Sequence, residues 1–170
     1  MKYNVLKKQN NSSMCFVCGM DNTSSLKTKF YELENKVVLA VFHGEDYHQS
    51  YPSRMHGGII SGLLDETIGR AIQIDEPDTF GVTVELDIRF IKPVPLNKTL
   101  YAVGKLTEIK RLLFSGEGYI YDEQQTILAT CKAKYMKQSV QRIVEGDHFI
   151  EEQWMYVADD DSPSFFELPQ

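Results

Sequence analysis

The chain has 170 residues, 42% of them hydrophobic and 25% charged, enough for one sizeable core and too few for two. Its net charge of -6 excludes a protein whose main task is to coat nucleic acid, because phosphate binding needs a basic face. No apolar run approaches the roughly 18 residues of a membrane span, and MKYNVLKKQNNSS lacks a signal-peptide stretch, so a cytoplasmic location is expected.

Residues 1–25 are polar, rich in Asn and Ser, and read as a partly ordered arm leading into the turn Cys15-Phe16-Val17-Cys18-Gly19. The two cysteines could be half of a zinc site or a redox pair. Structural zinc takes four ligands, and the third cysteine, Cys131, stands alone on a strand-like segment. A redox pair calls for a helix start beside the thiolate, whereas Met20-Asp21-Asn22-Thr23 reads as a loop. Packing in a tight turn is the expectation, and the odd cysteine count fits a reducing compartment.

Residues 26–33 and 36–43 read as two strands joined by a tight turn at Glu34-Asn35. The unbroken apolar run Val37 to Phe42 is that of a strand covered on both faces. A polar loop, 44–55, then delivers the chain to His56.

From there HGGIISGLLDETIGRAI predicts a helix that ends near Ile74, before Asp75-Glu76-Pro77-Asp78. At ~100° per residue, its apolar residues cover most of the circumference, while Gly58, Ser61, Gly62, Asp65 and Gly69 share one narrow strip. A helix apolar nearly all round belongs in a core, where an ionised carboxylate is expensive unless something uses or compensates it. Asp65 is therefore the residue to explain.

Val82, Val84, Leu86, Ile88 and Phe90 alternate with polar residues, which predicts a strand with that set on one face, ended by Pro93 and Pro95. Strands over 100–109, 112–121 and 126–136 follow, with Ile127, Ala129, Cys131, Ala133 and Tyr135 on one face of the last. Short connections imply antiparallel pairing. Residues 138–170 form a C-terminal extension, loosely helical and interrupted at Gly146, then acidic at Asp159-Asp160-Asp161; it is expected to pack on the body or on a partner subunit. One apolar helix wrapped by a sheet leaves an open side and free edges, so a second copy is a physical expectation.

The run YHQSYPSRMHGGIISGLLDE, followed by VTVELDIRFIKPVP and preceded by CFVCGMDN, resembles the hotdog-fold acyl-CoA thioesterases of the PaaI-like branch over roughly residues 15–137. The resemblance implies an α+β hotdog fold at 26–137, a curved antiparallel sheet wrapped around one long central helix. It also implies a homodimer or homotetramer with active sites across the subunit interface. It places Asp65 at the catalytic carboxylate, His56 and Gly57-Gly58 at the turn opening the helix, Thr83 at a Ser/Thr position on the next strand, and Gln49 at an upstream amide position with Ser50 beside it. Departures at Pro52-Ser53 and at Ser24-Ser25-Leu26 bear on loop conformation and pocket shape.

The implied reaction is hydrolysis of an acyl-CoA to free acid and CoA, with coenzyme A as part of the substrate, no further cofactor, no nucleic-acid partner and no membrane. Unpaired N–H groups at Gly57 and Gly58 would polarise the carbonyl. Asp65, over two turns away, would serve the helix start of the opposite subunit as general base or as nucleophile. Thr83 and Gln49 would hold the water or the carbonyl, and Ser61 and Gly62 would let substrate come close. Exposed Lys110 and Arg111, with Lys132 and Lys134, are available for the CoA phosphates.

Plainer readings stand beside these: Asp65 paired with Arg70 or Arg54, Glu66 solvated or ion-paired, His56 as a turn-forming hydrogen-bonder, and Thr83 as an ordinary strand residue. His43, His48 and His148 have no ligand-like spacing, so no metal is assigned. The competing functions are a non-catalytic acyl-CoA-binding module or sensor, which would need an output element, and a hydratase or dehydratase on the same fold.

Overall fold

The structure is a computed structural model describing residues 1–144, 153–158 and 161–169. In chain order it comprises β1 (Lys2–Lys8), β2 (Asn11–Ser12), β3 (Lys29–Leu33), β4 (Val37–His43), β5 (Gln49–Tyr51), β6 (Arg54–Met55), α1 (Gly57–Gly69), β7 (Phe80–Phe90), β8 (Thr99–Ile109), β9 (Leu113–Tyr121), β10 (Ile127–Gln138), α2 (Val140–Ile143), β11 (Trp154–Met155) and β12 (Phe165–Glu167). Eight strands make one antiparallel sheet in the order β12-β1-β3-β4-β8-β9-β10-β7. The helix lies on one face of it, continued by a 3₁₀ turn over Arg70–Ile74 that ends where the stop signal begins.

The expected α+β architecture, one central helix against a large antiparallel sheet, is what the chain adopts. Ile60, Leu63, Leu64 and Ile68 of α1 meet Val38, Ala40, Phe42, Ala102, Phe114 and Ile120 of the sheet in the main core. Close approach depends on small residues beneath the helix: a Cβ on Gly104 of β8 would sit 2.5 Å from the Thr67 carbonyl oxygen. The β4 run is covered on both faces, because Val37 and Leu39 enter a second cluster with Tyr31, Leu33, Val103, Tyr121 and Leu168.

Two features depart from the sequence expectation. Within the arm expected to be only partly ordered, Lys2–Lys8 forms a strand paired with both β3 and β12, which help to cover the second cluster. On β7, the register against β10 skips Val84: Tyr135 faces Thr83, while Lys134 faces Glu85 and Ala133 faces Leu86. This bulge reverses the alternation. Leu86, Ile88 and Phe90 oppose the helix-facing residues Ala133, Cys131 and Ala129, but so does Thr83 oppose Tyr135, and Val82 falls on the other face opposite Met136.

The extension is tied to the body by two short pairings, β11 on β2 and β12 on β1. The interruption at Gly146 and the pair Asp159-Asp160 lie outside the described residues. Among the described residues no helix is long and apolar enough to cross a membrane.

Candidate active site

Asp65 lies on the side of α1 that faces β7 and is half-buried. The Thr83 hydroxyl donates to both carboxylate oxygens, at 2.8 Å and 3.1 Å, which the β7 bulge makes possible by turning Thr83 toward the helix. Burial raises the pKa of Asp65 above the ordinary carboxylate value, and the Thr83 hydrogen bond opposes part of that rise. Below the helix the Tyr135 hydroxyl donates to the Asp65 main-chain carbonyl at 2.8 Å. Asp65 and Thr83 line a cavity of about 460 Å³ with Phe80, Tyr135, Trp154 and Arg70.

The arginine beside Asp65 is not its partner. Arg70 is buried and donates through Nε and Nη2 to Glu66 Oε1, at 2.9 Å and 2.8 Å, so the ion pair belongs to Glu66. Its guanidinium is also held between the rings of Phe30 and Trp154, 4.1 Å and 4.8 Å from their centroids. Among the described residues no cation pairs with Asp65, whose carboxylate borders the cavity.

At the other end of the helix, His56 is the N-cap, and its Nδ1 accepts the Gly58 N–H at 2.9 Å. This corrects the expectation of two unpaired N–H groups: the Gly58 donor is used by its own cap, as the turn-forming reading of His56 requires. The Gly57 N–H has no acceptor among the described residues. Gly57 shares a hollow with Ser50, Arg54, Phe90 and Lys92, separate from the one that holds Asp65. Eight residue steps along the helix separate the two positions by ~12 Å.

Residues 53–129, which hold Gly57, Asp65 and Thr83, match the model of the Thioesterase superfamily. The stretch that holds the carboxylate is thus similar to that superfamily. An uncharacterised protein of Schizosaccharomyces pombe is 30% identical to this chain over 81 residues, 48% of this chain and 46% of that protein. The acyl-coenzyme A thioesterase THEM4 of Mus musculus is 28% identical over 109 residues, 64% of this chain and 46% of THEM4. The chain thus spans about half the length of the curated relatives it matches. The structure of the E. coli PaaI protein from the phenylacetic acid degradation operon superposes with a TM-score of 0.60 at 17% identity, covering 67% of this chain and 81% of PaaI, a likeness of fold.

The remaining expected residues scatter around the two hollows and beyond them. Gln49 and Ser50 are exposed on the β5–β6 hairpin, Ser50 at the Gly57 hollow, and Gln49 does not line the Asp65 cavity. Ser61 donates to the Gly57 carbonyl at 2.8 Å, and Gly62 faces Val17 of the arm. Lys110 pairs with Glu108 at 3.0 Å on the β8–β9 turn, and neither it nor Arg111 lines the Asp65 cavity. His48 is structural: buried, it accepts the Glu45 N–H at Nδ1 and meets the Ser24 carbonyl through Nε2.

Sequence reasoning missed Tyr135, Phe80 and Trp154 as neighbours of Asp65. Tyr135 was visible as a helix-facing strand residue, but only the register with β7 brings it under Asp65. Trp154 lies in the extension, and no local pattern points it at the helix.

Proposed function

We propose that the protein hydrolyses acyl-CoA thioesters, working as a homodimer or a dimer-of-dimers tetramer with coenzyme A as part of the substrate. One observation carries this: Asp65 is a half-buried carboxylate held by a threonine hydroxyl rather than neutralised by a cation, beside a cavity of about 460 Å³. Burial that raises its proton affinity makes it a better base than an exposed carboxylate. The Gly57 N–H supplies a donor at a helix start for the oxygen on which charge develops.

The ~12 Å between these positions on one helix is too far for a single carbonyl. Their separate hollows support a site completed by a second chain, and so does the exposed edge strand β7, with Val84 and Phe90 each 55% exposed. In that arrangement Asp65 of one subunit either deprotonates a water directed at the thioester bound at Gly57 of the other, or attacks it to form an anhydride. The free cysteines and their odd number support a cytoplasmic setting.

The test is thiol release from a panel of acyl-CoAs. Asp65→Asn is expected to lower the rate at least ~100-fold with the fold intact, and a single turnover in ¹⁸O water separates the routes, since only the nucleophilic one labels Asp65. Binding of acyl-CoA without turnover of any panel member would instead establish a non-catalytic binding module.

A further inference from the structure

The two cysteines of the arm have no part in the proposed hydrolysis, yet they lie against the helix residue next to Asp65. Gly19 N–H closes the turn on the Cys15 carbonyl at 2.7 Å, and a Cβ at Gly19 would be 2.3 Å from that oxygen, so the turn requires glycine. Asn11 pins it from beneath, donating to the carbonyls of Cys18 and Thr28. The Sγ atoms of Cys15 and Cys18 and a Glu66 carboxylate oxygen all lie within 4.8 Å of one another. Cys15 Sγ donates to Glu66 Oε2 at 3.0 Å and accepts the Val17 N–H at 3.3 Å. Cys18 Sγ accepts from Arg70 Nη2 at 3.2 Å and from the Ser12 N–H at 3.4 Å.

We propose that Cys15 and Cys18 form a reversible disulfide by exchange with low-molecular-weight disulfides, and that Glu66 and Arg70 transmit the change to the cavity wall at Trp154. The two sulfurs are unequal in the way an exchange pair needs. Both border the cavity, but Cys15 is half-buried whereas Cys18 is fully buried. The hydrogen bond from Cys18 holds the Cys15 thiol below its ordinary range, while that same bond and burial push Cys18 up. Arg70, rather than a helix start, supplies positive charge beside the sulfurs.

In the first step the Cys15 thiolate attacks one sulfur of the small disulfide; its S–S bond breaks and one thiolate leaves. Cys18 then loses its proton and attacks the Cys15 sulfur, releasing the second thiolate. The protein loses two protons and two electrons, and the small disulfide takes them up to become two thiols. Bonding brings the sulfurs to ~2 Å, so Cys15 stops donating to Glu66 and the sulfur that accepts from Arg70 is drawn toward Cys15. A metal on the same atoms is disfavoured, because the Arg70 cation already occupies Glu66 and Cys18, and two sulfurs with one carboxylate fall short of a closed four-ligand site.

The reduced, metal-free protein is incubated with oxidised glutathione without denaturant, and its thiols, mass and tryptophan emission are followed. Expected are loss of two of the three thiols, with Cys131 retained, a mass lower by about two hydrogens, and a change in emission of Trp154, the one tryptophan in the chain, all reversed by dithiothreitol. Cys18→Ser is expected to stop at a glutathione adduct on Cys15 with the emission unchanged. Three thiols persisting in the native protein while the denatured chain oxidises would overturn the proposal. So would a lasting adduct in the unmutated protein, an emission blind to the bridge, or one zinc ion per chain that survives chromatography and blocks oxidation. None of these readouts depends on thioester hydrolysis.

Discussion

Asp65 and Glu66 are adjacent in sequence and divided in chemistry, because ~100° of helical rotation points one carboxylate at β7 and the other at the N-terminal arm. Glu66 is spent on Arg70, four residues on, a spacing at which helical side chains meet, whereas the sequence alone offers Arg70 to Asp65 and names no partner for Glu66. Asp65 was legible from the small-residue strip. Thr83 stood out only through family resemblance, since strict alternation would have turned it away from the helix. Its effect on Asp65 has a definite sign. Burial raises the carboxylate pKa and the Thr83 hydrogen bond lowers it, so Thr83→Val lets it rise further. The ionised base is lost as pH falls through that pKa, and the acid limb of kcat/KM therefore moves to higher pH in Thr83→Val, with a plateau at least ~10-fold lower. Thr83→Ser restores both, and pH–rate profiles of the three proteins decide the matter.

At the scale of elements, the helix and six strands could be read from periodicity and turn residues, but their mutual placement could not. Register depends on which hydrogen bonds close between distant segments, and a single unpaired residue, Val84, reversed the face assigned to half of β7. β1 escaped notice because its burial alternates only weakly and its cover comes from β12, some 160 residues away. The seating of α1 on β8 gives an independent check. Gly104→Ala would thrust a methyl group against the Thr67 carbonyl, backbone that cannot swing aside, so a loss of about 1–3 kcal/mol is expected. Urea denaturation reads it as a lower midpoint at constant slope.

For the whole molecule, the sheet ends on one side in β12 and on the other in β7, an eleven-residue edge carrying exposed Val82, Val84 and Phe90. Long apolar edges pair unless something covers them. Val84→Asp, placing a charge on that edge, is expected to shift the protein toward monomer in light scattering and to abolish hydrolysis in proportion, because the Asp65 and Gly57 hollows would part company. The bulge at Val84 also has a meaning for how such a strand can change over time. It uncouples the parity of residues 80–83 from that of 85–90, so the segment that steadies the carboxylate and the segment that continues the sheet edge can each drift in composition without inverting the other. In effect two short strands with separate obligations share one continuous backbone.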